Sequence, residues 1–308
     1  MIGPGLLALA THDTVRRAVT ALPLSNRVAH RFVAGETTEQ AVAAVAGLAR
    51  HGLLSTVDHL GEDTSDAVGA RSATTAYLEL LDSLATADLL GAAEVSVKLT
   101  AIGLDLPDGR EVALKGAQRI AARAAALGTT MTVDMEDHTK TDATLAIVRQ
   151  LRVGQPDVGV ALQIYLHRTP ADVAEFSAAG ARVRLCKGAY REPPTVALTD
   201  RAAISAAYAR AVRVLMSGPG YPMLATHDPQ LIAFAADVAT GTRRPDQSFE
   251  FQLLNGVRPD EQSRLADANY RVRVYLPYGE QWYGYMMRRM AEKPANLALF
   301  LRALKSRR

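Results

Sequence analysis

Six polar residues close short apolar runs of this chain. They are Lys98 after Val95-Ser96-Val97, Asp134 after Met131-Thr132-Val133, Gln163 inside Val158 to Leu166, Lys187 after Val183 to Cys186, His227 after Met223 to Thr226, and Gln252 after Phe249-Glu250-Phe251. Two cations, one acid, two amides and an imidazole suffice to hold a small charged molecule and to handle a proton. Any one of them alone reads equally well as a helix cap or a solvated loop residue. Six at the ends of successive runs point instead to a polar rim that binds something. Arg184, Lys187 and the small-residue turn Gly188-Ala189 suit an anionic ligand, because backbone at Gly188 can approach closely while Lys187 supplies charge. On a regular strand Arg184 and Lys187 face opposite ways, so both serve one ligand only if the chain has begun to turn at Lys187. Further on, Tyr285, Arg288, Arg289 and Glu292 recur at three- and four-residue spacing, which places them largely on one helical face. An arginine pair there can grip a carboxylate through several N–H donors.

Other chemistries find less support. Gly3-Pro4-Gly5-Leu6-Leu7-Ala8 matches a dinucleotide fingerprint on paper but has no strand before it, and no phosphate-binding G-x-x-x-x-G-K-S/T loop occurs. The 7 histidines form no short-spaced pair suited to zinc, so no metal site is expected. The single cysteine, Cys186, lies in an apolar run and reads as a small core residue; one cysteine allows no internal disulfide and suits a reducing, cytoplasmic setting.

The elements that must carry the rim follow from the hydrophobic pattern. Alanine-rich helical stretches cover Thr37 to Arg50, Ala70 to Leu89, Glu111 to Leu127, Asp142 to Leu151, Ala171 to Ala178, Ile204 to Met216, Pro229 to Ala239 and Pro259 to Ala268. Thr37 with Gln40 forms a capping box, Thr169 before Pro170 reads as an N-cap, and Gly52 and Gly128 stand where C-terminal glycines belong. Between the helices lie eight strand-like runs: the six above, Ser55 to Asp58, and Val272 to Leu276, with no Pro/Gly/Ser-rich linker among them. Eight alternations predict an α/β chain folded as a (β/α)8 barrel over residues 53–308, preceded by a helical segment over 1–52; a doubly wound open sheet is the alternative.

Composition bounds the partners. With 308 residues, 48% hydrophobic and 22% charged, the chain buries a large core, and a net charge of +3 is too small to argue for nucleic acid. The run Leu6 to Ala10 lacks a basic preface and is far shorter than the roughly 20 residues of a spanning helix, so neither signal peptide nor membrane anchor is expected.

The strings LTAIGLDL, VDMEDH, LQIYLHRT, RLCKGAYREP, ATHDP, FEFQLLNGVRPDEQ and VRVYLPYGEQWYGYMMRRMAEKPAN together resemble the proline dehydrogenases, in particular the short monofunctional bacterial type. The likeness runs from about Leu53 to Leu304. It implies a distorted (β/α)8 barrel with non-covalent FAD at its C-terminal rim, oxidising L-proline to Δ1-pyrroline-5-carboxylate and passing electrons to a quinone. By resemblance, Lys98, Arg288 and Arg289 hold the substrate carboxylate, Tyr275 and Leu254 wall the ring, and Asp134 is the acidic residue of the site. The cofactor side comprises Met135 beside the flavin, Gln163 and Arg184 at its ring, Lys187, Gly188 and Ala189 toward the phosphates, and Thr226 with His227. The resemblance also implies a separate pyrroline-5-carboxylate dehydrogenase and leaves room for peripheral contact with the inner face of a membrane. Two other readings stay open: a flavin-free barrel lyase forming a Schiff base at Lys98, and a barrel that binds without catalysis.

Overall fold

The computed structural model describes residues 31–61, 64–282 and 285. A first helix, α1 (Thr38–Ala49), leads into β1 (Leu54–His59) and α2 (Ala67–Thr86), then β2 (Ala93–Val97) and α3 (Gly109–Ala126). Next come β3 (Met131–Val133), α4 (Thr141–Gly154), β4 (Gly159–Gln163), α5 (Thr169–Ala178), β5 (Arg182–Cys186) and α6 (Arg201–Ser217). The described part ends with β6 (Tyr221–Ala225), α7 (Pro229–Gly241), β7 (Glu250–Leu254), α8 (Pro259–Asp267) and β8 (Val272–Tyr278). All eight strands pair in parallel and in chain order, and β8 returns to β1 with Thr56 opposite Tyr275, closing the barrel. Closure removes both sheet edges and excludes the open doubly wound sheet.

Local signals explain most element ends. Thr37 and Gln40 form the reciprocal capping box at α1, and Gly52 and Gly128 take positive φ after α1 and α3. Thr169 departs from expectation: it lies inside α5 rather than capping it, and its hydroxyl donates to the Gln163 carbonyl at 2.7 Å. The run ending at Leu166 is also shorter as a strand, because β4 stops at Gln163.

The described residues before β1, 31–53, pack onto the barrel. Ala41 and Val45 of α1 are fully buried, the Ala34 amide donates to the Pro277 carbonyl at 2.8 Å, and Trp282 Nε1 donates to Glu36 at 2.7 Å. Residues 1–30 of the expected helical segment 1–52, and the face carrying Arg288, Arg289 and Glu292, lie outside the described residues. Among the described residues no helix is long and apolar enough to cross a membrane.

The strands are unusual in what they turn inward. Val95-Ser96-Val97-Lys98-Leu99, Phe249-Glu250-Phe251-Gln252-Leu253 and Val272-Arg273-Val274-Tyr275-Leu276 alternate apolar and polar residues, so one set packs against the helices and the other fills the lumen. The lumen is consequently stacked with bonded polar groups rather than filled by Val, Ile and Leu.

Candidate active site

At the base of the lumen, Glu94 of β2 accepts from Arg182 at 2.6 Å and from Thr132 at 3.0 Å, and stands 3.8 Å from Arg273. Glu250 of β7 accepts from Arg273 Nε at 2.7 Å, from Gln252 at 2.5 Å and from Tyr221 at 3.1 Å. Burial would raise the Glu250 carboxyl, but the Arg273 guanidinium outweighs it and holds it down at about 2. These charges are satisfied from several strands at once, which is what a buried ionic layer requires.

One layer higher lies Arg184, only 3% exposed. Its Nε donates to Gln252 Oε1 at 2.7 Å, one terminal nitrogen to Ser96 at 2.6 Å and to Asp134, the other to Thr56 at 3.1 Å. Three other strands and the residue just past β3 thus fix one guanidinium, which lies 5.5 Å from the Tyr275 ring centroid. Arg184 is therefore in a buried ion pair, as its place inside a strand allows, whereas Lys187 stands one residue beyond β5 where the chain has begun to turn. The two cations face different surroundings.

Above Arg184 the barrel opens on Lys98, Asp58, Asp134 and Tyr275. Lys98 Nζ stands 2.5 Å from Asp58 and 4.0 Å from Asp134. The Tyr275 hydroxyl is 2.7 Å from a carboxylate oxygen of Asp58 and 2.7 Å from one of Asp134. Burial pushes the Asp134 carboxyl up, yet Arg184, Lys98 and hydrogen bonds from Tyr275 and Ser96 overcome it and hold it below the ordinary carboxylate range. Burial, followed by the Asp134 and Asp58 charges, pushes the Tyr275 phenol well above its usual range, so it keeps its proton. Because Lys98 is ion-paired as an ammonium, it offers no lone pair for attack on a carbonyl, and the Schiff-base reading gains nothing from this geometry.

The rim beyond β4, β5 and β6 has a different character. Lys187 Nζ reaches Asp228 at 2.9 Å and Ser205 of α6 at 3.1 Å. Gly188 has φ +114°, and a Cβ there would lie 2.4 Å from the Tyr165 ring, so the close approach that demands glycine comes from Tyr165. Gln163 Oε1 accepts from the Ala189 amide at 3.4 Å and its Nε2 donates to the Glu136 carbonyl at 2.7 Å. His227 Nε2 accepts from the Leu254 amide at 2.9 Å, fixing the proton of the neutral ring on Nδ1, and Thr226 Oγ1 accepts from the Asp228 amide at 3.2 Å. Met135 and Thr226 are buried beside this arc, and Leu254 ends β7 between the two halves. Cys186, expected in the core, is half-buried at the end of β5.

Three loops are tied together at this rim by residues that the sequence reading did not single out. Buried Glu136 accepts from the Thr100 amide at 3.1 Å and from its hydroxyl. Glu192 accepts from the His138 amide at 2.9 Å, contacts the His138 ring and reaches the Tyr165 hydroxyl at 3.4 Å. Asp58, Glu94, Ser96, Glu250 and Arg273 also belong to this set; the alternation of apolar and polar residues along β2, β7 and β8 is a signal for the last four, whereas the run containing Asp58 does not alternate strictly. Among the described residues no group of acids, histidines and cysteine is arranged to hold a metal.

A closed parallel barrel with its convergent polar groups at the C-terminal strand ends defines the class: a (β/α)8-barrel enzyme. A family model described as proline dehydrogenase matches residues 41–301. Proline dehydrogenase 1 of Bacillus subtilis is 38% identical over 276 residues, which is 90% of this chain and 90% of the relative. Proline dehydrogenase of Deinococcus radiodurans is 38% identical over 280 residues, with the same coverage of both. The chain belongs to the proline dehydrogenase family. Among solved structures, proline utilization A from Bdellovibrio bacteriovorus superposes with a TM-score of 0.80 at 24% identity, a likeness of fold. It covers 87% of this chain and 33% of that much longer one.

Proposed function

We propose that the barrel mouth oxidises L-proline to Δ1-pyrroline-5-carboxylate as the first step of proline breakdown, with FAD as the bound flavin and a quinone as electron acceptor. The observation that carries this reading is the division of the rim. A compact pocket of Lys98, Asp58, Asp134 and Tyr275, charge-balanced with Arg184 beneath it, lies around β8, β1, β2 and β3, and an arc of Lys187, Ser205, Thr226, His227 and Gln163 lies around β4, β5 and β6. A zwitterionic amino acid matches the first half. The second half offers a cation, hydroxyls and exposed backbone at Ala189, a donor set that fits the phosphates of a flavin nucleotide.

Bound flavin supplies the two-electron acceptor for the hydride that leaves the carbon next to the proline nitrogen. Lys187, Gly188 and Ala189 would hold its phosphate side, and Gln163, Thr226, His227 and Met135 would line its ring side. Lys98 with Arg288 and Arg289 binds the carboxylate and so sets which C–H bond faces the acceptor. The nitrogen must be unprotonated for its lone pair to push the hydride out, and Asp134 is the acceptor placed for that proton. Its depressed pKa makes it a weak base, so its larger contribution is to orient the N–H, while Arg184 beneath it keeps it ionised. A separate pyrroline-5-carboxylate dehydrogenase consumes the product. Peripheral contact of this cytoplasmic enzyme with the inner face of a membrane brings the mouth to lipid-soluble quinone.

Tyr275 gives a test of the substrate pocket. Its hydroxyl is anchored by Asp58 and Asp134, which leaves the ring to wall the substrate. Tyr275→Ser is expected to raise KM for L-proline through lost apolar contact and to raise kcat/KM for trans-4-hydroxyproline relative to proline about tenfold, roughly 1.4 kcal/mol. A ratio within about twofold of wild type places Tyr275 away from the substrate.

A further inference from the structure

Asp58 is completely buried at the next-to-last position of β1, at the centre of the substrate half of the rim. Three elements converge on its carboxylate. Oδ2 meets Lys98 Nζ at 2.5 Å, just past β2, and the Tyr275 hydroxyl of β8 at 2.7 Å; Oδ1 meets the Tyr77 hydroxyl of α2 at 3.3 Å. The other ionisable groups nearby are Asp134 and Arg184 across the lumen, His59 beside it in the strand with Glu280 acting on that ring, and Tyr278 of β8. The Tyr275 phenol has a single proton but faces a carboxylate at hydrogen-bonding distance on each side. It can donate to one at a time. Lys98 supplies Asp58 with donors of its own, so the phenol proton is available to Asp134 while Asp58 is satisfied by the ammonium.

Charge arithmetic gives the consequence. Asp58 and Asp134 together balance Lys98 and Arg184, so the described part of the pocket carries no net charge, and the Lys98 cation is already neutralised before any carboxylate arrives. We propose that Asp58 is a positioning residue for proline oxidation: it fixes Lys98 and Tyr275 in their reactive places and withholds part of the Lys98 charge from the substrate carboxylate, giving up affinity for geometry. This rests on Lys98 and Tyr275 facing the substrate.

The two effects of removing Asp58 have opposite signs, which separates them from simple damage. The probe is cyclopentanecarboxylate, a five-membered ring with the carboxylate and no amine to react, titrated into the holoenzyme and followed by the flavin absorbance change. Asp58→Asn is expected to bind it several-fold more tightly at neutral pH, because the Lys98 charge is no longer offset. Its alkaline loss of binding should begin at lower pH, since removing the Asp58 charge makes the buried Tyr275 phenol easier to deprotonate. Turnover of L-proline should nevertheless fall about tenfold in kcat. Asp58→Glu, which keeps the charge, should return the probe affinity to near wild type. Asp58→Ser, smaller and uncharged, carries the expectation of Asp58→Asn if that variant is not recovered folded. Equal or weaker probe binding in the uncharged variants, beside normal binding by wild type, overturns the role of Asp58 alone. If wild type itself fails to bind the probe, the substrate pocket is elsewhere and the proposal falls with it.

Discussion

Arg184→Ala is expected to destabilise the protein by about 3–5 kcal/mol and to lower proline turnover by about two orders of magnitude. The guanidinium is 3% exposed and bonded to Thr56, Ser96, Asp134 and Gln252. Truncation leaves the buried Asp134 carboxylate with only Lys98, at 4.0 Å, as an ion-pair partner among the described residues and takes from Glu94 a neighbour at 3.7 Å. An unpaired buried charge costs far more than the pair gains over an apolar replacement, so the loss is large even though the ion pair itself contributes little net stability. Asp134 should also lose its depressed pKa, because Arg184 is the largest influence lowering it. Arg184→Lys keeps the charge but lacks the fork that reaches Gln252, Ser96 and Thr56 together, and should recover only part of either loss. Denaturant unfolding of both variants checks the first figure and kcat/KM for L-proline the second. An alanine variant within about 1 kcal/mol of wild type shows that the lumen repacks without its arginine.

Glu250→Gln should show its largest effect at neutral pH and lose it in acid. The Glu250 carboxyl is shifted from 4.5 to about 2: burial raises it, but Arg273 beside it lowers it further. A depressed folded pKa means the ionised form stabilises the fold above the unfolded pKa, and that this contribution disappears as pH falls from about 4.5 toward 2. The shift corresponds to about 3 kcal/mol. Wild type and variant should therefore differ by about that amount at pH 7, by roughly half of it near pH 3, and converge near pH 2. A constant gap across pH 3 to 7 shows that the carboxylate charge is not what the base of the barrel depends on.

Fold and site differ in how far the sequence revealed them. The barrel was legible because helices and strands alternate with clear periods and because caps such as Thr37 and Gly128 mark the ends. The rim was legible because strand ends are where such barrels place their chemistry, and Lys98, Asp134 and Tyr275 do meet. V-S-V-K-L and F-E-F-Q-L spell out the polar lumen, but the apolar half of each run is what marks a strand, and what its polar half faces is decided only when the barrel closes. Asp58 is not legible for a related reason: its importance comes from Lys98 and Tyr275, which are distant in sequence. Thr169 shows the limit of capping signals, since a hydroxyl beside a strand end found the Gln163 carbonyl instead of a helix amide. The burial of Arg184 depends on partners from three other strands and from just past β3, and no local pattern encodes that.

Proline oxidation by this chain is tested most directly by the absorbance spectrum of the purified protein under anaerobic conditions, before and after addition of each proline enantiomer. A yellow protein is expected, releasing FAD on denaturation, whose flavin band bleaches with L-proline and hardly changes with D-proline, because a fixed carboxylate and the Tyr275 wall present only one C–H direction to the acceptor. A colourless protein, or a flavin band that bleaches equally with both enantiomers, contradicts it.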